Sequence, residues 1–148
     1  MSERAIKEVN REMWDDYNAI KGDSSKLDAW IDRYYSPSFI GHSQLSTDMN
    51  YEQFKQYQIN LQTALPDTHL TLKQEFAEGD LVATQFTLSG THRGEFQDLR
   101  AAGNKIQVEG AMVLRVHGNK CQEIWMYVDI LDFMRRLDAI PTPVTLPK

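Results

Sequence analysis

A single cysteine, Cys121, in a chain of 148 residues excludes an internal disulfide and leaves too few thiolates for a cysteine-based metal site. Histidine is also sparse: His42, His69, His92 and His117 are scattered without a His-x-His or His-x-x-x-His pair, so no bound metal is expected. No apolar run approaches the roughly 20 residues of a membrane span. The opening Met-Ser-Glu-Arg-Ala-Ile lacks the apolar stretch of a signal peptide. These two absences predict a cytoplasmic protein with no membrane partner. A net charge of −5 with no basic cluster speaks against nucleic acid as a partner. Gly-Thr-His-Arg-Gly (90–94) and Gly-Asn-Lys (118–120) lack a phosphate-loop pattern, and no serine sits in a nucleophile elbow.

What is present suits one domain over residues 1–148, with 141–148 a loose tail, because the chain is long and apolar enough to bury a core. The first half has helical period. Ile6, Val9, Met13, Tyr17 and Ile20 form one stripe that ends at Gly22. Asp23, Ser24 and Ser25 start a second helix with Leu27, Trp30, Ile31 and Tyr34 on its face, and Pro37 stops it. Residues 38–43 are expected to be extended. A third helix begins at Asn50, where Asn50 and Gln53 have capping-box spacing. It buries Tyr51, Phe54, Tyr57 or Gln58, Leu61 and Leu65 as far as Pro66.

The second half changes to period two. A three-residue loop at Glu78-Gly79-Asp80 would oppose Phe76 to Val82, Leu72 to Phe86 and Leu70 to Leu88. A two-residue turn at Gly118-Asn119 would oppose Met112 to Trp125, Gly110 to Tyr127 and Val108 to Asp129. A short last helix follows, with Leu131, Met134 and Leu137 apolar, ending near Pro141. Helices first and an antiparallel meander afterwards is an α+β order, with the helices packed on a strongly curved sheet that encloses a cone-shaped pocket.

The strand that ends at Asp129 sends Trp125, Tyr127 and Asp129 to one face and Ile124, Met126 and Val128 to the other. The register therefore predicts a cavity in which Val108, Met112, Trp125 and Tyr127 surround the Asp129 carboxyl. Tyr17, Phe39 and Phe54 complete the ligand wall from the helices and the 39–42 segment. In such a wall desolvation would raise the Asp129 pKa and poise it as an acid/base. The same position suits the cap of the last helix. His42 suits either a pocket role or a structural one, bonded to backbone. Ile124, Met126 and Val128 would otherwise be an exposed apolar row, which predicts a homodimer. Trp14 is expected to be a core or interface anchor. His92 and Arg93 are expected in solvent or paired with Glu95.

Four segments resemble the SnoaL-like polyketide cyclase family: Leu-Pro-Asp-Thr-His-Leu (65–70), Glu-Gly-Asp (78–80), Gly-Thr-His-Arg-Gly-Glu-Phe (90–96) and Trp-Met-Tyr-Val-Asp-Ile-Leu-Asp-Phe-Met-Arg-Arg-Leu (125–137). The resemblance implies the cone-shaped α+β fold of the nuclear-transport-factor-2-like superfamily. It also implies cofactor-independent acid/base chemistry, an aldol-type cyclisation or isomerisation of a hydrophobic carbonyl compound, with Asp129 as acid/base and His42 at the family's usual histidine position. The sequence departs from the family pattern at Ile124, where many members have histidine, at Tyr127, which replaces a frequent acidic residue, and at Met112, which is often polar. A non-catalytic binder of the same fold and an Asp-assisted hydrolase or isomerase stand as alternatives, because a fold hosts many functions.

Overall fold

The computed structural model describes residues 1–43, 47–95 and 103–136. Helix α1 (Glu3–Asn18) starts at Ser2, whose Oγ accepts from the Ala5 N–H at 3.0 Å. Its apolar stripe is buried as expected, with Trp14 added to it. The chain turns through Lys21 and Gly22, both at positive φ, and a side chain at Gly22 would begin 2.9 Å from the Pro66 Cβ. Helix α2 (Ser24–Tyr34) is capped by Asp23, which accepts from the Ser25 and Lys26 amides. Strand β1 (Tyr35–Ser43) follows at once, so Pro37 lies at an exposed position inside the strand and does not mark the end of the helix. Helix α3 (Tyr51–Ala64) carries the capping box between Asn50 and Gln53.

Strands β2 (His69–Glu78), β3 (Leu81–Thr91), β4 (Lys105–His117) and β5 (Lys120–Val128) build a curved, open sheet in the order β1-β5-β4-β3-β2. Neighbours are antiparallel except at one edge, where β1 runs parallel to β5. Helix α4 (Ile130–Arg136) follows. The expected end of this helix at Leu137 to Pro141, and the tail 141–148, lie outside the described residues.

Two asparagines tie α1 to the sheet. Asn10 is fully buried; its Nδ2 donates to Glu75 at 3.0 Å and to the Thr84 hydroxyl at 2.9 Å, while its Oδ1 accepts from the Trp14 indole at 3.1 Å. Asn18 exchanges two bonds with the backbone of Leu70, at 2.9 and 2.7 Å. These contacts fix α1 across the inner face of the sheet. Gly110 is required there, because a Cβ at this position would stand 2.6 Å from the Phe86 ring that lies across it.

Both hairpins differ from expectation by one residue. Glu78 pairs with Leu81, so the first turn is the two-residue Gly79-Asp80, and Phe76 pairs with Ala83. A bulge between Leu72 and Gln74 then restores the expected pairs of Leu72 with Phe86 and Leu70 with Leu88. In the second hairpin the turn is the expected one, with His117 opposite Lys120, but a bulge between the Val116–Cys121 and Arg115–Glu123 pairs shifts the rest. Met112 therefore pairs with Met126, Val113 with Trp125 and Gly110 with Val128. A one-residue slip reverses the faces of a strand. Ile124, 2% exposed, points into the core with Met126 and Val128 packed against it, and Tyr127, 53% exposed, points out. The expected homodimer face is thus an inner wall.

Candidate functional site

The pocket lies between α1, α3 and the inner face of the sheet. Helix α1 contributes Trp14 and Tyr17, and α3 contributes Phe54, Tyr57, Gln58 and Leu61. Leu70, Phe86 and Leu88 form the floor from β2 and β3, and Ile124, Met126 and Val128 form it from β5. Gly41, His42, Ser43 and Met49 complete the wall at the end of β1. The cavity measures about 80 Å³, roughly half of the ~150 Å³ that encloses a benzene in an apolar core, so a ring compound seated here extends into the open mouth of the pocket.

The polar groups in this wall are largely neutral. Burial, with Tyr57 close by, holds the Tyr17 phenol far above its ordinary pKa, and burial pushes Tyr57 up to about 12. Trp14 is fixed in place by its bond to Asn10 and packs edge-on against Tyr17, ring centroids 5.3 Å apart. The role of Asn10 was missed in the sequence, where it sits one residue beyond Val9 on an otherwise apolar stripe.

Of the sequence-predicted lining residues, Tyr17 and Phe54 are in the wall. Phe39 is buried behind it, with its ring against those of Tyr35 and Phe54. Met112 belongs to the main core, and Val108 to a second cluster with Leu61, Ile106 and Phe133. Trp125 and Tyr127 are on the outer face of the sheet as a result of the bulge. Asp129 is exposed rather than buried. Its Oδ1 accepts from the Asp132 amide at 3.0 Å and its carbonyl accepts from the Phe133 amide, which is the geometry of an N-cap of α4.

His42 stands in the pocket wall beside Gly41 and Ser43, and its ring nitrogens bond carboxylates instead of the backbone. Its Nδ1 lies 2.8 Å from Asp48 Oδ1 and its Nε2 2.7 Å from Glu123 Oε2, and its ring stacks on Trp125 at 5.4 Å. Two carboxylate partners require N–H on both nitrogens. The bond to Glu123, then that to Asp48, raises its pKa against the opposing effect of burial. The row continues along the outer face: Arg115 lies over Trp125 and bonds Asp80, which His117 also bonds. Asp80 is held below the usual carboxylate range, first by His117 and then by Arg115. His92, expected in solvent or paired with Glu95, is fully buried with no partner for either ring nitrogen among the described residues, whereas Arg93 and Glu95 are exposed. Among the described residues no group of three or more His, Cys, Asp or Glu is arranged to hold a metal ion, and no helix is long and apolar enough to cross a membrane.

The model of the SnoaL-like polyketide cyclase family matches residues 7–137. The chain belongs to that family. Solved structures agree on the fold. AclR from Streptomyces galilaeus, provisionally named a hydroxylase, superposes with a TM-score of 0.81 at 25% identity over 95% of this SnoaL-like chain and 100% of its own. A provisionally named SnoaL-like polyketide cyclase from Jannaschia sp. CCS1 gives 0.80 at 19% identity, over 94% and 95% of the two chains. IdmH from Streptomyces antibioticus, provisionally named a polyketide cyclase, gives 0.70 at 21% identity, over 90% and 98%. No functionally curated protein matches the chain significantly. This SnoaL-like chain therefore has the nuclear-transport-factor-2-like α+β fold implied by its sequence.

Proposed function

We propose that this protein binds a largely apolar, carbonyl-bearing small molecule in the pocket beneath α1 and α3 and promotes its cyclisation or isomerisation by proton transfer. The character of the wall is the observation that supports this most: the aromatic faces of Trp14, Phe54 and Phe86 stand beside the neutral phenols of Tyr17 and Tyr57. An apolar ketone or ester gains free energy by burial against such faces. A neutral phenol donates a hydrogen bond to a carbonyl oxygen, and that bond strengthens as the oxygen gains charge on the way to an enolate. Family membership supports the same reaction class.

The base in this reading is Asp129, which β5 delivers directly after the lining residue Val128. Oδ1 serves the helix cap and Oδ2 takes the proton from carbon, the electron pair passing to the carbonyl oxygen. A carrier without catalysis is the second reading, favoured by the lack of any carboxylate among the described lining residues.

Deuterium exchange at the activated carbon of 2-tetralone, followed by NMR in D₂O, separates the two. The enzyme reading expects faster exchange with the wild-type protein, lost in Asp129→Asn while 2-tetralone still binds. Binding without any acceleration leaves the carrier. Full acceleration in Asp129→Asn excludes this base.

A further inference from the structure

Helix α3 buries Phe54, Gln58, Leu61 and Gln62 along one stripe, so two carboxamides stand where an apolar residue is the rule. They are not equivalent. Gln62 is committed to the fold, since its Oε1 accepts from the Gly22 amide at 3.0 Å and closes the turn after α1. Gln58 is 6% exposed and lines the pocket, and its covered Oε1 has no hydrogen-bond partner among the described residues. A buried acceptor without a donor destabilises the empty protein. Helix packing does not demand it, because a leucine or methionine of the same length would serve the stripe.

We infer that Gln58 determines ligand specificity: with a turn of its carboxamide towards the cavity, its Oε1 accepts a hydrogen bond from a hydroxyl or N–H carried by an otherwise apolar ring system lodged in the pocket. The inference rests on the reading of this pocket as a ligand site. It goes further by fixing where on the ligand the donor stands, opposite the second turn of α3 in a pocket that Phe54, Trp14 and Phe86 also line. A site with one unpaired acceptor rejects an analogue that lacks the donor, because the acceptor then stays dry and unbonded.

Equilibrium dialysis with 2-naphthol and 2-methylnaphthalene, which differ by hydroxyl against methyl, tests it on the whole chain. Gln58→Met is expected to shift the ratio of the two dissociation constants by about tenfold against 2-naphthol, and Gln58→Leu to shift it the same way. A ratio that moves by less than about twofold in the folded variants overturns the assignment while leaving the pocket a ligand site. Should the variants not fold, the wild type decides alone: equal or weaker retention of 2-naphthol than of 2-methylnaphthalene counts against Gln58. Failure of the wild type to bind either compound overturns both the inference and the ligand site.

Discussion

The two faces of the sheet handle polarity in opposite ways. On the inner face the buried polar groups are mainly amides, hydroxyls and phenols, with Asn10, Asn18 and Gln62 each bonded to fixed partners. On the outer face charges of alternating sign run from Asp48 through His42, Glu123, Arg115 and Asp80 to His117, above Trp125. A neutral interior keeps its shape across pH, whereas a row of ion pairs at a half-exposed surface responds to pH and salt and contributes little stability per pair. The neutral amides and phenols thus lie on one face of the sheet and the ion pairs on the other, with His42 belonging to both the row and the pocket wall.

The sharpest way to break that contrast is to move one charge between faces. Ile124→Asp puts an unpaired carboxylate into the core and is expected to cost more than about 4 kcal/mol. Tyr127→Asp, three residues along on the outer face, is expected to stay within about 1 kcal/mol of wild type. Urea titration of the pair measures this, and equal losses would refute the register described here. Asn10→Leu comes next, at about 3 kcal/mol, since it orphans the Trp14 indole and the Thr84 hydroxyl and releases Glu75. Its fluorescence spectrum is expected to change as Trp14 loosens. His92→Leu is expected to raise the unfolding free energy from urea titration by about 1 kcal/mol, because it removes two buried nitrogens that have no partner among the described residues; a loss would mean that the ring is bonded.

The smallest effect concerns pH. The folded-state pKa of His42 is raised, so the stabilisation from its two carboxylate bonds is complete below about pH 6.5, its ordinary value, and is lost as pH rises through the higher folded value. NMR titration of the imidazole protons in the wild type and in Glu123→Gln measures it. Glu123→Gln is expected to lower the midpoint, because the bond to Glu123 is the largest cause of the shift.

Helices, the caps of α2 and α3 and the turn at Gly118-Asn119 were legible because their signals are local. Asp23 and the Asn50–Gln53 box lie within four residues of the amides they serve. Bulges carry no such signal. In the first hairpin the turn was read one residue too long and the bulge near Lys73 cancelled the error, so Leu70 and Leu72 were still assigned correctly. In the second hairpin the turn was right. The bulge at Gln122, next to it, had the whole strand left to displace, and it exchanged Trp125 and Tyr127 for Met126 and Val128 in the wall. The strand from Ile124 to Val128 is bulky and apolar in both phases, so hydrophobic alternation had no power to choose between them.

The parallel edge has a consequence for the order in which the chain can be completed. Strand β1 is formed within the first 43 residues, yet its partner is β5, and Tyr35 meets Cys121 while His42 meets Trp125. A nascent or truncated chain that stops at His117 already contains three helices, the β2–β4 meander and most of the apolar inner face. It leaves the β1 edge with unanswered amides and carbonyls, a template for pairing with a neighbouring chain. The contact that covers β1 therefore joins segments far apart in sequence, and the arrival of β5 decides whether the first strand is sheltered or aggregates.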